Sequence, residues 1–261
     1  MTVPEERRPS RGDGWIRHAR VFGVEVADEV RGIVREPTAL FFSILMPVGF
    51  FVLFVAVWGD LPSGNGPTGT RMLATFGTFG VLAVTLLNPG IGVAEDRERG
   101  WLRAKRVSAV PVPLTLTAKV AAAVPCAFGV FAAMVVTAGL TGTLDASPAE
   151  LLRIGAVLLL GSLPFALLGM AVGFRARGNT TAAILNAVLL PSAVLSGLWM
   201  PLEILPDFMA DIAVFLPTYH LARLALAQLG GVATATHLVA LFGTTAVAAV
   251  LAAVSYRRAR T

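Results

Sequence analysis

The densest run of ionisable side chains in this sequence is Glu95-Asp96-Arg97-Glu98-Arg99-Gly100-Trp101-Leu102-Arg103-Ala104-Lys105-Arg106. Mixed charge, then Gly100, then an amphipathic stretch over residues 101–107 predicts a short helix lying parallel to a membrane. Pro111 and Pro113 stop it. A charged knob of this kind can dock into a cleft of a soluble partner. A solvated loop has the same composition, and both readings stand at this point.

Residue types that do covalent chemistry are sparse. Lys105 and Lys119 are the only lysines, and neither closes a G-x-x-x-x-G-K-[ST] loop, so no phosphate-cradling loop is recognisable. H-E-x-x-H and G-x-S-x-G are absent. His18, His220 and His237 lack metal-ligand spacing, and Cys126 stands alone in an apolar run, so no internal disulfide is expected. The chain is expected not to be an enzyme and to hold no cofactor of its own. Ion-coupled transport usually leaves carboxylates or guanidiniums in mid-span. Here the apolar windows hold neither, and His237 is the one titratable group besides Cys126 deep enough to consider.

The elements that carry the charged run are apolar. Of 261 residues, 56% are hydrophobic and 14% charged, and the mean hydropathy is +0.75. A soluble fold of this size has too little interior to hide that much apolar surface. Windows without Asp, Glu, Lys or Arg cover residues 38–59, 72–94, 120–144, 154–174, 178–202 and 224–256. Each exceeds the roughly 20 residues a helix needs to cross the hydrocarbon core. None shows the short alternating segments of a β-barrel, so backbone satisfaction in lipid requires helices.

Lys and Arg orient the spans. With the N-terminus inside, 18 of the 21 basic residues fall on the cytoplasmic side; Arg71, Arg153 and Arg223 face out. Asp60, Asp145, Glu150, Glu203, Asp207 and Asp211 share that outer side. The basic residues sit between apolar runs rather than in one aromatic-interleaved patch, so anionic lipid rather than nucleic acid is the expected partner. Residues 1–37 are rich in Arg and Glu and no apolar run falls within the usual first 30 residues, so no cleavable signal is expected.

Residues 15–35 alternate apolar and charged side chains at helical spacing and end at Pro37. An interfacial helix on the cytoplasmic leaflet follows. After the fifth window, Pro201, Pro206 and Pro217 bracket stretches too short to span, such as residues 212–216. They predict a short outer re-entrant helix pair. Gly169-x-x-x-Gly173 permits close helix approach. Asn88, Asn186, Ser192 and Ser196 are neutral polar groups that can line a path or hold helices together. The fold class is thus an all-α polytopic membrane protein with six spans. Residues 1–36 form the cytoplasmic N-terminus, 37–256 the membrane domain and 257–261 a cytoplasmic tail.

In their order and spacing these features resemble the membrane subunit of ABC-2 type ATP-binding cassette transporters. Four carry the likeness. Arg35-Glu36-Pro37 leads into a first span containing Pro47. Glu95-x-x-Glu98-x-Gly100 is followed by Pro111-x-Pro113 and Lys119. Six spans fill one short chain, and Pro201-Leu202-Glu203-x-x-Pro206 precedes Pro217. The resemblance implies a coupling helix over residues 95–105, with Glu95, Arg97, Glu98, Arg99, Gly100, Trp101, Arg103 and Lys105 seated in an ATPase subunit. Trp101 and Arg103 depart from the small or acidic residues more typical there. It further implies a connecting helix over 15–35 and outer gate helices at Pro201, Glu203, Pro206 and Pro217. ATP and Mg would sit on the partner ATPase, and a second permease copy or a paralogue would complete the pathway. The implied function is an ATP-driven exporter half moving an amphipathic, lipid-like or drug-like cargo across the cell membrane. A secondary transporter and a non-transporting scaffold or sensor subunit are the rival readings.

Overall fold

The computed structural model describes residues 11–35, 41–58, 68–101, 112–230 and 234–259. These residues are helical, with short turns between, and contain no strand. The elements are α1 (Arg11–Arg35), a π-helical turn (Phe41–Leu45), α2 (Met46–Trp58), α3 (Thr68–Glu98), α4 (Val112–Leu140), α5 (Pro148–Gly161), α6 (Leu163–Gly173) and α7 (Gly178–Leu195). A 3-10 turn (Leu202–Ile204), α8 (Asp207–Ala213), α9 (Pro217–Ala227) and α10 (Ala235–Arg258) follow.

Five helical stretches are long and apolar enough to cross a membrane: Thr68–Glu98, Val112–Leu140, Pro148–Gly173, Gly178–Leu195 and Ala235–Arg258. Large side chains on their outward faces, among them Leu140, Leu152, Leu160, Val239 and Phe242, are exposed. Water does not tolerate a belt of that extent; lipid does. The expected first span, 38–59, differs from a single long helix. Its described part is a π turn and the 13 residues of α2, about 20 Å of regular helix. Pro47 is the physical reason. Proline donates no N–H and its ring crowds the carbonyl four residues back, and a π turn is one way a helix absorbs that.

α3 is the axis of the bundle. Its 31 residues span roughly 46 Å at 1.5 Å per residue, and α2, α4, α6, α7 and α9 all pack on it. Phe76, Phe79, Leu73 and Leu82 of α3 meet Phe51, Met134, Ile154, Leu158, Leu189 and Leu221 in one core. The tightest contact is with α6. A Cβ on Gly169 would run into the Leu86 carbonyl, one on Gly173 into the Gly90 carbonyl, and one on Gly90 would lie 2.7 Å from the Gly169 oxygen. The pair of glycines seen in the sequence therefore lets two backbones touch.

α5 and α6 form one kinked span. Ser147 and Glu150 make a capping box at its start, with Ser147 N–H donating to Glu150 Oε2 at 2.7 Å and Glu150 N–H to Ser147 Oγ at 3.3 Å. The break falls at Ser162, two residues before Pro164. The last window, 224–256, is divided: α9 ends at Ala227 and α10 begins at Ala235. α9 buries Thr218, Leu221, Ala222, Leu224, Ala225 and Leu226 against α3, α5 and α10. Two short helices, α8 and α9, follow the fifth window, and α9 carries the packing.

Candidate functional site

The charged run lies at the C-terminal end of α3. Glu95, Arg97 and Glu98 occupy its last turn rather than a free-standing helix. Arg99 and Gly100 form the turn beyond, and Gly100, at φ 74°, adopts the left-handed conformation that ends helices. Trp101 follows with its ring half exposed. Arg103 and Lys105 lie outside the described residues.

Three helices are pinned together here by Lys119 of α4. Its side chain is 3% exposed, and Nζ lies 2.7 Å from Glu29 Oε1 of α1 and 3.0 Å from Asp96 Oδ2 of α3. A buried ammonium persists only when paired, because stripping its water otherwise costs several kcal/mol. Gly92 makes the room: a Cβ there would sit 3.2 Å from Lys119 Nζ. Arg97 binds the turn between α6 and α7, its guanidinium donating to the Phe174 carbonyl and, at 2.8 Å, to the Ala176 carbonyl. Those oxygens lie just past the C-terminus of α6, where a cation also meets the negative end of the helix dipole. Arg99 pairs with Glu95 one turn back at 3.1 Å.

The N-terminus of α7 packs on the same turn. A Cβ on Gly178 would lie 3.3 Å from Glu95 Cγ and 3.6 Å from Glu98 Oε2, so two carboxylates face the positive end of α7. Arg175 Nε donates to Ser255 Oγ of α10 at 3.2 Å, and the Phe174 and Tyr256 rings pair at 5.5 Å. The charged end thus gathers α1, α3, α4, α6, α7 and α10. A cavity of about 500 Å³ opens beside it, lined by Glu25, Glu29, Asn88, Asp96, Trp101 and Lys119 among others. Asn88 Nδ2 is buried there without an acceptor among the described residues.

Glu29 and Asp96 are the site residues that a motif reading passes over, and the role of Lys119 in joining them went unseen with them. Lys119 carried a signal, being one of two lysines in a chain that otherwise uses arginine. Its partners come from positions 90 and 23 residues away, and only the fold selects them.

The opposite end of α3 holds the proline segment. Gly197, at φ 69°, turns the chain out of α7, and Ser196 shares a hydroxyl–hydroxyl hydrogen bond with Thr218 of α9. Pro201 and Glu203 line a second cavity of about 440 Å³, together with Ser196. Pro206 precedes α8 and Pro217 is the first residue of α9, where its missing N–H costs nothing. His220 Nδ1 and His237 Nδ1 lie 2.8 Å apart, and His220 Nε2 lies 3.0 Å from the Val214 carbonyl. Asn186 and Ser192 bond the Ala182 and Val188 carbonyls of their own helix. The four neutral polar residues are therefore not brought together: Asn88 and Ser196 lie in different cavities, and the other two satisfy α7. Among the described residues no cluster of His, Cys, Asp and Glu could hold a metal ion.

Long apolar helices around a glycine-packed axis, with a pinned charged knob at one end, define a multi-pass helical membrane protein. The family model described as ABC-2 type transporter matches residues 20–229, and the chain belongs to that family, whose members are transport permease subunits working with an ATPase. YvfS of Bacillus subtilis (strain 168), a relative named as a transport permease, is 26% identical over 192 residues. The match covers 74% of this chain and 78% of that relative.

Proposed function

We propose that this permease is one half of an ATP-driven exporter in the cell membrane. The turn from Glu95 to Trp101 would receive force from a separate ATPase subunit, with ATP and Mg held there. Support comes from the Lys119 and Arg97 contacts, which tie that turn to α1, α4 and the α6–α7 connection. A push on a loose loop dissipates locally. A push on a turn bonded to three other segments moves them as a body.

Two copies, or this chain and a paralogue, would enclose the pathway, and the proline segment from Pro201 to Pro217 would gate its outer mouth. Both termini would be cytoplasmic, and α2 with its π turn would complete a sixth span. The short pair α8–α9 would dip into the outer leaflet. The scarcity of buried charge favours an amphipathic or lipid-like cargo over an ion.

Reconstitution with the cognate ATPase in liposomes tests the reading. Wild-type permease should raise ATP turnover several-fold, Arg97→Ala should remove most of that stimulation, and Glu98→Arg should do the same. Hydrolysis indifferent to the permease and to both substitutions would refute the coupling role. Uphill movement of solute by the permease alone would favour a secondary transporter.

A further inference from the structure

The cavity at the N-terminal end of α3 has a chemistry of its own. Arg71 of α3 and Arg223 of α9, both half-buried, line it with Trp58, Trp199, Tyr219 and Glu203. Neither guanidinium makes a hydrogen bond or an ion pair among the described residues. Arg223 lies over the Tyr219 ring at 5.2 Å. Glu203, exposed on the 3-10 turn, is the single carboxylate among the described lining residues. The lining is thus net positive. Two guanidiniums lining one cavity make it favourable for an anion.

The rest of the lining suits an apolar body. Trp199 is wedged between Phe50 and Phe79, with ring centroids at 5.6 and 5.2 Å. Its buried Nε1–H has no acceptor among the described residues, and an indole N–H taken out of water ordinarily finds one. The volume of about 440 Å³ falls in the range of small-molecule sites, roughly 300–1,000 Å³.

We propose that this cavity binds an amphiphile with a phosphate-type anionic head. Arg71 and Arg223 grip the head, Arg being the side chain whose planar fork matches phosphate. Trp58, Trp199 and Tyr219 hold the apolar portion next to it. Arg71 lies about 36 Å of helix from Glu95 at the charged end of α3, and the site needs no ATPase to bind.

Native mass spectrometry of the purified full chain in detergent, titrated with phosphatidylglycerol or with phosphatidylcholine of the same acyl chains, tests the site. Phosphatidylglycerol should bind about tenfold tighter. Arg71→Gln and Arg223→Gln should each weaken it about tenfold while leaving phosphatidylcholine unchanged, the loss expected for one charged hydrogen bond. Glu203→Gln removes the opposing carboxylate and should tighten phosphatidylglycerol several-fold. That arm decides the matter if the arginine variants do not fold. Equal binding of the two lipids overturns the proposal, as does a headgroup preference that survives in the folded double arginine variant. Unchanged affinity in Glu203→Gln overturns it as well. Inorganic phosphate distinguishes the source: competition by phosphate supports a site that reads the head alone, and its absence supports one that needs the attached lipid.

Discussion

Lys119 shows how one buried charge commits three helices. Its ammonium satisfies Glu29 and Asp96 together, so removing it strands two carboxylates in a site built around a cation. Lys119→Met should lower the thermal stability of the detergent-solubilised protein, with a cost of about 3–5 kcal/mol. The triple variant Glu29→Gln, Asp96→Asn, Lys119→Met should recover much of that loss, because no unpaired charge remains. Melting curves of the two proteins side by side check this; equal destabilisation would mean that Lys119 acts through packing alone. The sequence placed Lys119 at the end of a span, and Asp96 inside the charged run. It did not join them, because ion pairing across helices depends on rotation about each helix axis, which hydropathy does not encode.

At the scale of elements, backbone contact decides more than composition. Gly173 rests on the Gly90 carbonyl, so any Cβ there must push α6 off α3. Gly173→Val should sharply reduce the yield of folded protein in size-exclusion chromatography. Gly129 of α4 has nothing within 4 Å of a Cβ, so Gly129→Ala should be neutral or stabilising by a few tenths of a kcal/mol to about 1 kcal/mol. Equal behaviour of the two variants would deny the close contact.

The small-residue pattern was legible in the sequence; its partner, α3 near Leu86 and Gly90, was not. The division of window 224–256 was equally hidden. Hydropathy responds to apolar side chains alike whether protein or lipid covers them; α9 buries most of its apolar side chains in the protein, whereas Val239, Phe242, Val247 and Val250 of α10 stay exposed. The π turn before α2 had a visible cause in Pro47. Proline announces that a helix must adjust without saying how.

The whole molecule is an asymmetric object with its ionic contacts at one end of α3 and its proline segment at the other. If the basic side chains face the cytoplasm, Trp101→Cys in a Cys126→Ala background should resist a membrane-impermeant maleimide on intact cells. It should then react once the cells are broken open. Labelling on intact cells would invert the topology and remove the charged turn from reach of a cytoplasmic ATPase.

Composition and the spacing of charge determined by themselves that this chain is helical and lives in lipid, and where most of its helices run. Those properties follow from solvent transfer and from helix length, both of which sum over local residues. The pinning of Glu95–Arg99 to α1 and the α6–α7 connection, the burial of α9, and the cavity that Arg71 and Arg223 both line were decided by tertiary structure alone. Each depends on side chains distant in sequence being brought to one place, and that placement is set by how helices pack and not by what any one of them contains.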